Sequence, residues 1–171
     1  DTTVFGFKCV PTKAIASSYN REKNFIIVNS GSLQSIERES GVVGPEGIVG
    51  IVHSVSENFA SILPLLHSDS KISGRLKGKD YFGQCRWRGI DDHYVILENI
   101  PNHVSIAKGD TVITRGSRGI FPAGLIIGFA ESSERDESSG FQEIKVKLAT
   151  DFQKLNSLYI IVNQEKLELD S

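Results

Sequence analysis

The sequence predicts an all-β protein built as two small adjoining six-stranded β-barrels with very little helix. Short runs rich in Val, Ile and Phe are cut by Gly, Asn, Asp and Ser about every ten residues, the rhythm of barrels and sandwiches. Helical periodicity is weak: Leu33 and Ile36 fit a single turn that Gly41 closes, and Asp151 can cap a second short turn. The apolar runs number about a dozen, more than one small closed barrel uses, so two barrels of about six strands each fit better.

Strands are expected over 7–17, 25–29, 41–43, 47–56, 60–66, 72–76, 83–88, 93–97, 111–114, 126–131, 142–148 and 158–162. The clearest alternation is at Ile144, Val146 and Leu148, which should share one buried face with Lys145 and Lys147 opposite. The polar stretch 68–79 divides the chain. One barrel is expected over 7–70, completed by a returning strand within 152–163, and the other over 71–151. Residues 131–140 (ESSERDESSG) read as a mobile hairpin loop, and 1–6 and 164–171 as flexible ends.

The chain has 171 residues, 39% hydrophobic and 23% charged, enough to bury a core without metal or disulfide. A net charge of -2 gives no whole-molecule attraction to nucleic acid or anionic lipid. No apolar run approaches the roughly 18 residues of a spanning helix. Methionine is absent even at position 1, which predicts an excised fragment of something longer, from which a membrane anchor could have been cut away. The two cysteines, Cys9 and Cys85, read as buried thiols; a disulfide would need their α-carbons within roughly 7 Å.

Catalytic chemistry finds little support. His53, Asp91 or Asp92, and Ser117 stand in the triad order of chymotrypsin-like two-barrel proteases. Gly109-Asp110-Thr111 lacks the serine and following glycines of their oxyanion-hole turn, and His53 lies in an apolar strand. His67, His93 and His103 are scattered without metal-ligand spacing. Asp91-Asp92 reads as a solvated turn. Gly116 and Gly119 resemble half of a phosphate loop, but Pro122 follows where a helix should begin. Trp87 between Arg86 and Arg88 could stack on bases; with no wider basic stripe it is assigned to core packing or a partner contact. No cofactor and no nucleic acid are expected.

One stretch is distinctive. Residues 108–128 (KGDTVITRGSRGIFPAGLIIG) combine a Gly-Asp strand start, a glycine-bounded turn and a Phe-Pro-x-Gly-x-x-x-Gly run. Glycines at 116, 119, 124 and 128 permit positive φ or close backbone approach, and Pro122 fixes φ, so the segment is a rigid, shaped connection. Ile120, Phe121 and Pro122 stand out on it as apolar anchors for a partner, with Phe121 alternatively capping a barrel end. A second candidate contact is a strand edge at Ile144 and Val146. Together with 44–55 (GPEGIVGIVHSV) and 25–32 (FIIVNSGS), in that order along the chain, the pattern resembles the MreC family of rod shape-determining proteins. Arg115 departs from it, standing where the family often has a small hydroxyl residue.

The resemblance implies a non-catalytic role. Proteins of that family are bitopic inner-membrane proteins whose periplasmic β domains scaffold the cell-elongation machinery. They self-associate, bind the elongation transpeptidase (a class B penicillin-binding protein), and act with MreD and, across the membrane, MreB. Binding that favours one transpeptidase conformation is a population shift, which needs tighter affinity for that state. The competing readings are a barrel hydrolase and a peptidoglycan-binding module. The latter usually needs several exposed aromatics, and the chain offers one tryptophan and four tyrosines.

Overall fold

A computed structural model describes residues 2–116 and 120–162. Thirteen strands occur among them: β1 (Thr2–Val4), β2 (Phe7–Ser18), β3 (Phe25–Val28), β4 (Gly41–Val43), β5 (Ile48–Val55), β6 (Ala60–Pro64), β7 (Ile72–Leu76), β8 (Phe82–Arg86), β9 (Tyr94–Pro101), β10 (Thr111–Thr114), β11 (Ile126–Asp136), β12 (Phe141–Leu148) and β13 (Ser157–Ile161). The helical content is two single 3-10 turns, Ser32–Gln34 and Phe152–Lys154, the second capped by the Asp151 carboxylate accepting from the Gln153 amide at 3.1 Å. Among the described residues, no helix is long and apolar enough to cross a membrane.

The strands close into two six-stranded barrels. In the first, the order β2-β13-β4-β5-β6-β3 is closed by β3 pairing back onto β2, and β1 flanks β2 as a seventh strand. In the second, the order is β10-β11-β12-β9-β8-β7, with β10 returning to β7. All neighbours are antiparallel, so each strand needs only a short connection. Closure leaves few unpaired strand edges, the feature that otherwise invites aggregation.

Period-two patterning explains the cores. Along β12 the exposure alternates residue by residue: Gln142, Ile144, Val146 and Leu148 are buried, and Phe141, Glu143, Lys145 and Lys147 are exposed. Ile26, Ile48, Ile62, Leu158 and Ile160 fill the first barrel, and Leu76, Leu97, Ile100, Ile127 and Ile144 the second, all fully buried. Each such side chain contributes about 1.5–3 kcal/mol.

Two segments depart from expectation. Thr2–Val4, expected as part of a flexible end, instead pairs with Phe7–Cys9 across a turn at Phe5-Gly6. Residues 131–136, expected in a mobile loop, extend β11: after a bulge at Glu131, Ser132–Asp136 pair with Phe141–Lys145. The β11 residues of this stretch are exposed on both faces, so a fully polar strand costs no burial there. Polarity marked exposure there, not irregular backbone.

Candidate interaction surfaces

The 108–128 signature builds the junction between the barrels. β10 ends at Thr114, whose hydroxyl donates to the Pro122 carbonyl at 2.8 Å and accepts from the Leu125 amide at 2.9 Å. Thr114 therefore supplies, one residue earlier, the hydroxyl that Arg115 does not. The Arg115 guanidinium instead lies 4.2 Å from the centre of the Phe82 ring, a cation–π contact. Gly116 and Gly124 sit at φ +96 and +90, conformations that side chains resist. A Cβ on Gly128 would fall 2.1 Å from the Lys147 carbonyl oxygen. Gly119 lies outside the described residues.

Phe121 is not a free anchor. It is 4% exposed, and a Cβ on Gly41 of β4 would stand 2.7 Å from its ring and 2.5 Å from the Ile120 carbonyl oxygen. The loop thus wedges into the first barrel, with Ile120 and Pro122 half-buried beside Phe121. A cavity of about 210 Å³ remains there, lined by Ile51, Ile72, Thr114, Ile120 and Phe121. The β4–β5 hairpin answers from the other side: a Cβ on Gly47 would meet the Ile126 carbonyl oxygen at 2.6 Å, and the buried Thr150 hydroxyl donates to the Ile48 carbonyl at 2.9 Å. Backbone meets backbone across the junction because glycines let it.

The second candidate contact is also corrected. Ile144 and Val146 are fully buried, and β12 is paired with β9 on one side and β11 on the other, so it presents no edge. An alternating strand reads the same whether it is central or peripheral; barrel closure decides.

A cleft opens elsewhere between the barrels, with a volume of about 1090 Å³. One wall is the end of β2 and the turn after it, Ser17 to Arg21, with Phe25. The other is the loop from Trp87 to His93. Phe152, packed edge-on to Tyr19 with ring centres 5.4 Å apart, also lines it. Trp87 is 8% exposed, and its indole N–H donates to the Asp91 carbonyl at 2.9 Å, so it anchors the loop rather than offering a stacking platform. Its neighbours are engaged too: Arg86 pairs with Glu98 at 3.1 Å, and Arg88 with both Glu98 and Glu143.

At the cleft rim, Nδ1 of His93 lies 2.9 Å from an Asp91 oxygen and 2.8 Å from an Asp92 oxygen. Asp92 also accepts from Gln153, tying the loop to the 3-10 turn before β13. The hydrogen bond to Asp91, then the charge of Asp92, hold the His93 pKa above its ordinary value, and the amide and imidazole of His93 hold Asp91 below its own. Asp91, Asp92 and His93 bring three ligand atoms within 4.8 Å of one another, but they are already paired among themselves.

Among the described residues, His53 and the Asp91–Asp92 pair of the hydrolase reading lie on different barrels. His53 is exposed on β5 of the first barrel. Asp91 and Asp92 are engaged in the second barrel, and Ser117 lies outside the described residues. Cys9 and Cys85 are free, buried thiols in different barrels; burial alone pushes Cys85 up to about 12, which leaves it unreactive.

Residues 14–162 match the family model described as the barrel core of the rod shape-determining protein MreC. The chain belongs to the MreC family. The cell shape-determining protein MreC of Listeria monocytogenes is 29% identical over 137 residues, which cover 78% of this chain and 46% of that protein. The chain thus spans about half the length of that relative. A crystal structure of MreC from Pseudomonas aeruginosa superimposes with a TM-score of 0.83 at 17% identity, covering 91% of this chain and 99% of the other. MreC in a complex with penicillin-binding protein PBP2 from Helicobacter pylori aligns at 0.67 with 19% identity, covering 91% and 100%. At these identities the likeness shows the fold alone: two closed β-barrels.

Proposed function

We propose that this chain is a non-catalytic scaffold of the bacterial cell-elongation machinery. It works at the periplasmic face of the inner membrane, self-associates, and binds and activates the elongation transpeptidase. The observation that carries this reading is the junction. Two closed barrels are locked to each other through Phe121, Gly41 and Gly47, giving a stiff body with a shaped outer surface and no assembled reactive group among the described residues. The family supports the cell-shape role, and the Helicobacter pylori complex, which places a relative of the same fold on a penicillin-binding protein, supports the partner. Contacts with MreD and MreB, and a single-pass anchor, would belong to parts of the protein outside the present sequence.

The expected outcome is saturable binding of a purified class B penicillin-binding protein ectodomain to the immobilised chain, and a mass that rises with concentration in size-exclusion chromatography with light scattering. A chain that ignores the ectodomain and stays monomeric at high concentration would overturn the reading. Labelling by an active-site serine probe, lost on Ser117→Ala, would revive the hydrolase instead.

A further inference from the structure

We propose that the cleft between the barrels is a docking groove for an extended segment of a partner protein that carries a Lys or Arg beside a large aliphatic side chain. This deepens the scaffold reading and rests on it for the identity of the partner. Three observations converge on the same cleft.

The end of β2 lines it, and there the backbone has a strand neighbour on one side only. Ser17 and Ser18 pair with Ile26 and Phe25 of β3, whereas pairing to β13 ends at Lys13, followed by one hydrogen bond from the Ala14 amide to Asn156. A segment entering the cleft meets unpaired backbone groups of the kind that accept an added strand. At the mouth, two large apolar side chains stand in solvent from opposite walls: Phe25, 41% exposed, and Ile90, 91% exposed at the tip of its loop. Nothing in the fold uses Ile90, whose neighbour Gly89 sits at φ +77 with no heavy atom close to the Cβ it lacks. The charge favours a cation: Asp91 and Asp92, which share the one imidazole of His93, face the cleft on the Ile90 side, and Arg21 is the lining cation opposite, so the rim is net acidic wherever His93 is neutral. The Asp91 carboxylate is held ionised below its ordinary range.

Trp87, the only tryptophan in the sequence, lines the groove and reports its occupancy. The test titrates the chain with two synthetic peptides of equal length, one alternating Lys and Leu and one alternating Glu and Leu, while Trp87 emission is recorded. The expected result is a saturable change with the Lys–Leu peptide, at least about tenfold weaker with the Glu–Leu peptide and at least about tenfold weaker on Ile90→Ser. Ile90 is so exposed that its replacement leaves folding intact, which circular dichroism checks.

Equal response to both peptides, or an unchanged response in Ile90→Ser, overturns the proposal. So does a change produced only by peptidoglycan fragments, or a concentration-dependent dimer that Ile90→Ser abolishes. A parallel arm measures the transpeptidase ectodomain against wild type and Ile90→Ser. Ectodomain binding that survives Ile90→Ser in full removes the groove and leaves the scaffold reading standing. Peptide binding without any ectodomain binding keeps the groove and removes the transpeptidase.

Discussion

Phe121, Thr114 and His93 each do work at the residue scale that can be measured separately. Phe121 fills the space that Gly41 leaves open, so Phe121→Ala should cost about 3–5 kcal/mol of stability, read as a lower urea midpoint. Thr114 satisfies both the Pro122 carbonyl and the Leu125 amide. Thr114→Val keeps the shape and strands both partners, at a cost of about 1–3 kcal/mol in the same experiment. His93 is exposed, and its pairing with Asp91 favours the imidazolium. A pKa raised in the fold gives stabilisation that is fully present below the unfolded value of about 6.5 and lost as pH rises through the folded value. NMR titration should therefore place His93 above about 6.5. Asp91→Asn should bring it down, and an unchanged value would refute the pairing. The candidate anchor Phe121 stood out in the sequence because Phe-Pro-Ala-Gly is a shaped turn. Its burial did not, because the partner surface at Gly41 comes from a distant part of the chain.

At the scale of the element, the strands with one buried face were legible and those without were not. β12 announces itself through Ile144, Val146 and Leu148, and its place between β9 and β11 then follows only from closure. The same alternation suggested an edge, which β12, paired on both sides, does not have. The outer half of β11 carries no apolar residue to signal a strand, so its pairing with Phe141–Lys145 was invisible in composition. β1 was missed for the related reason that three half-exposed residues carry almost no periodicity. The β4–β5 hairpin reads clearly as glycine-punctuated strand. What its glycines are for emerges only at the junction, where Gly47 faces Ile126. Gly47→Ala should overpack this contact and destabilise the protein by about 1–3 kcal/mol. Gly140→Ala, at φ +81 with open space around it, should leave the junction untouched, and the two variants should differ in protease sensitivity between the barrels.

At the scale of the whole molecule, the proposed scaffold role rests on contour. Two closed sheets form a body whose surface features include the cleft, the Ile90 loop and the polar outer half of β11. The family was readable from the 108–128 signature together with 44–55 and 25–32, because glycines and a proline that shape an inter-barrel wedge constrain sequence more tightly than an exposed surface does. An exposed surface has no such signature: of the residues singled out for binding, Phe121, Ile144 and Val146 are buried, Ile120 and Pro122 half-buried, and the proposed groove is visible only in three dimensions. The most direct measurement is the cross-linking rate of a class B transpeptidase ectodomain on lipid-linked peptidoglycan precursor, with and without this chain. The account predicts that the rate rises saturably with added chain and that the chain alone turns over no substrate. A rate unchanged at concentrations that saturate binding, or turnover by the chain itself, would contradict it.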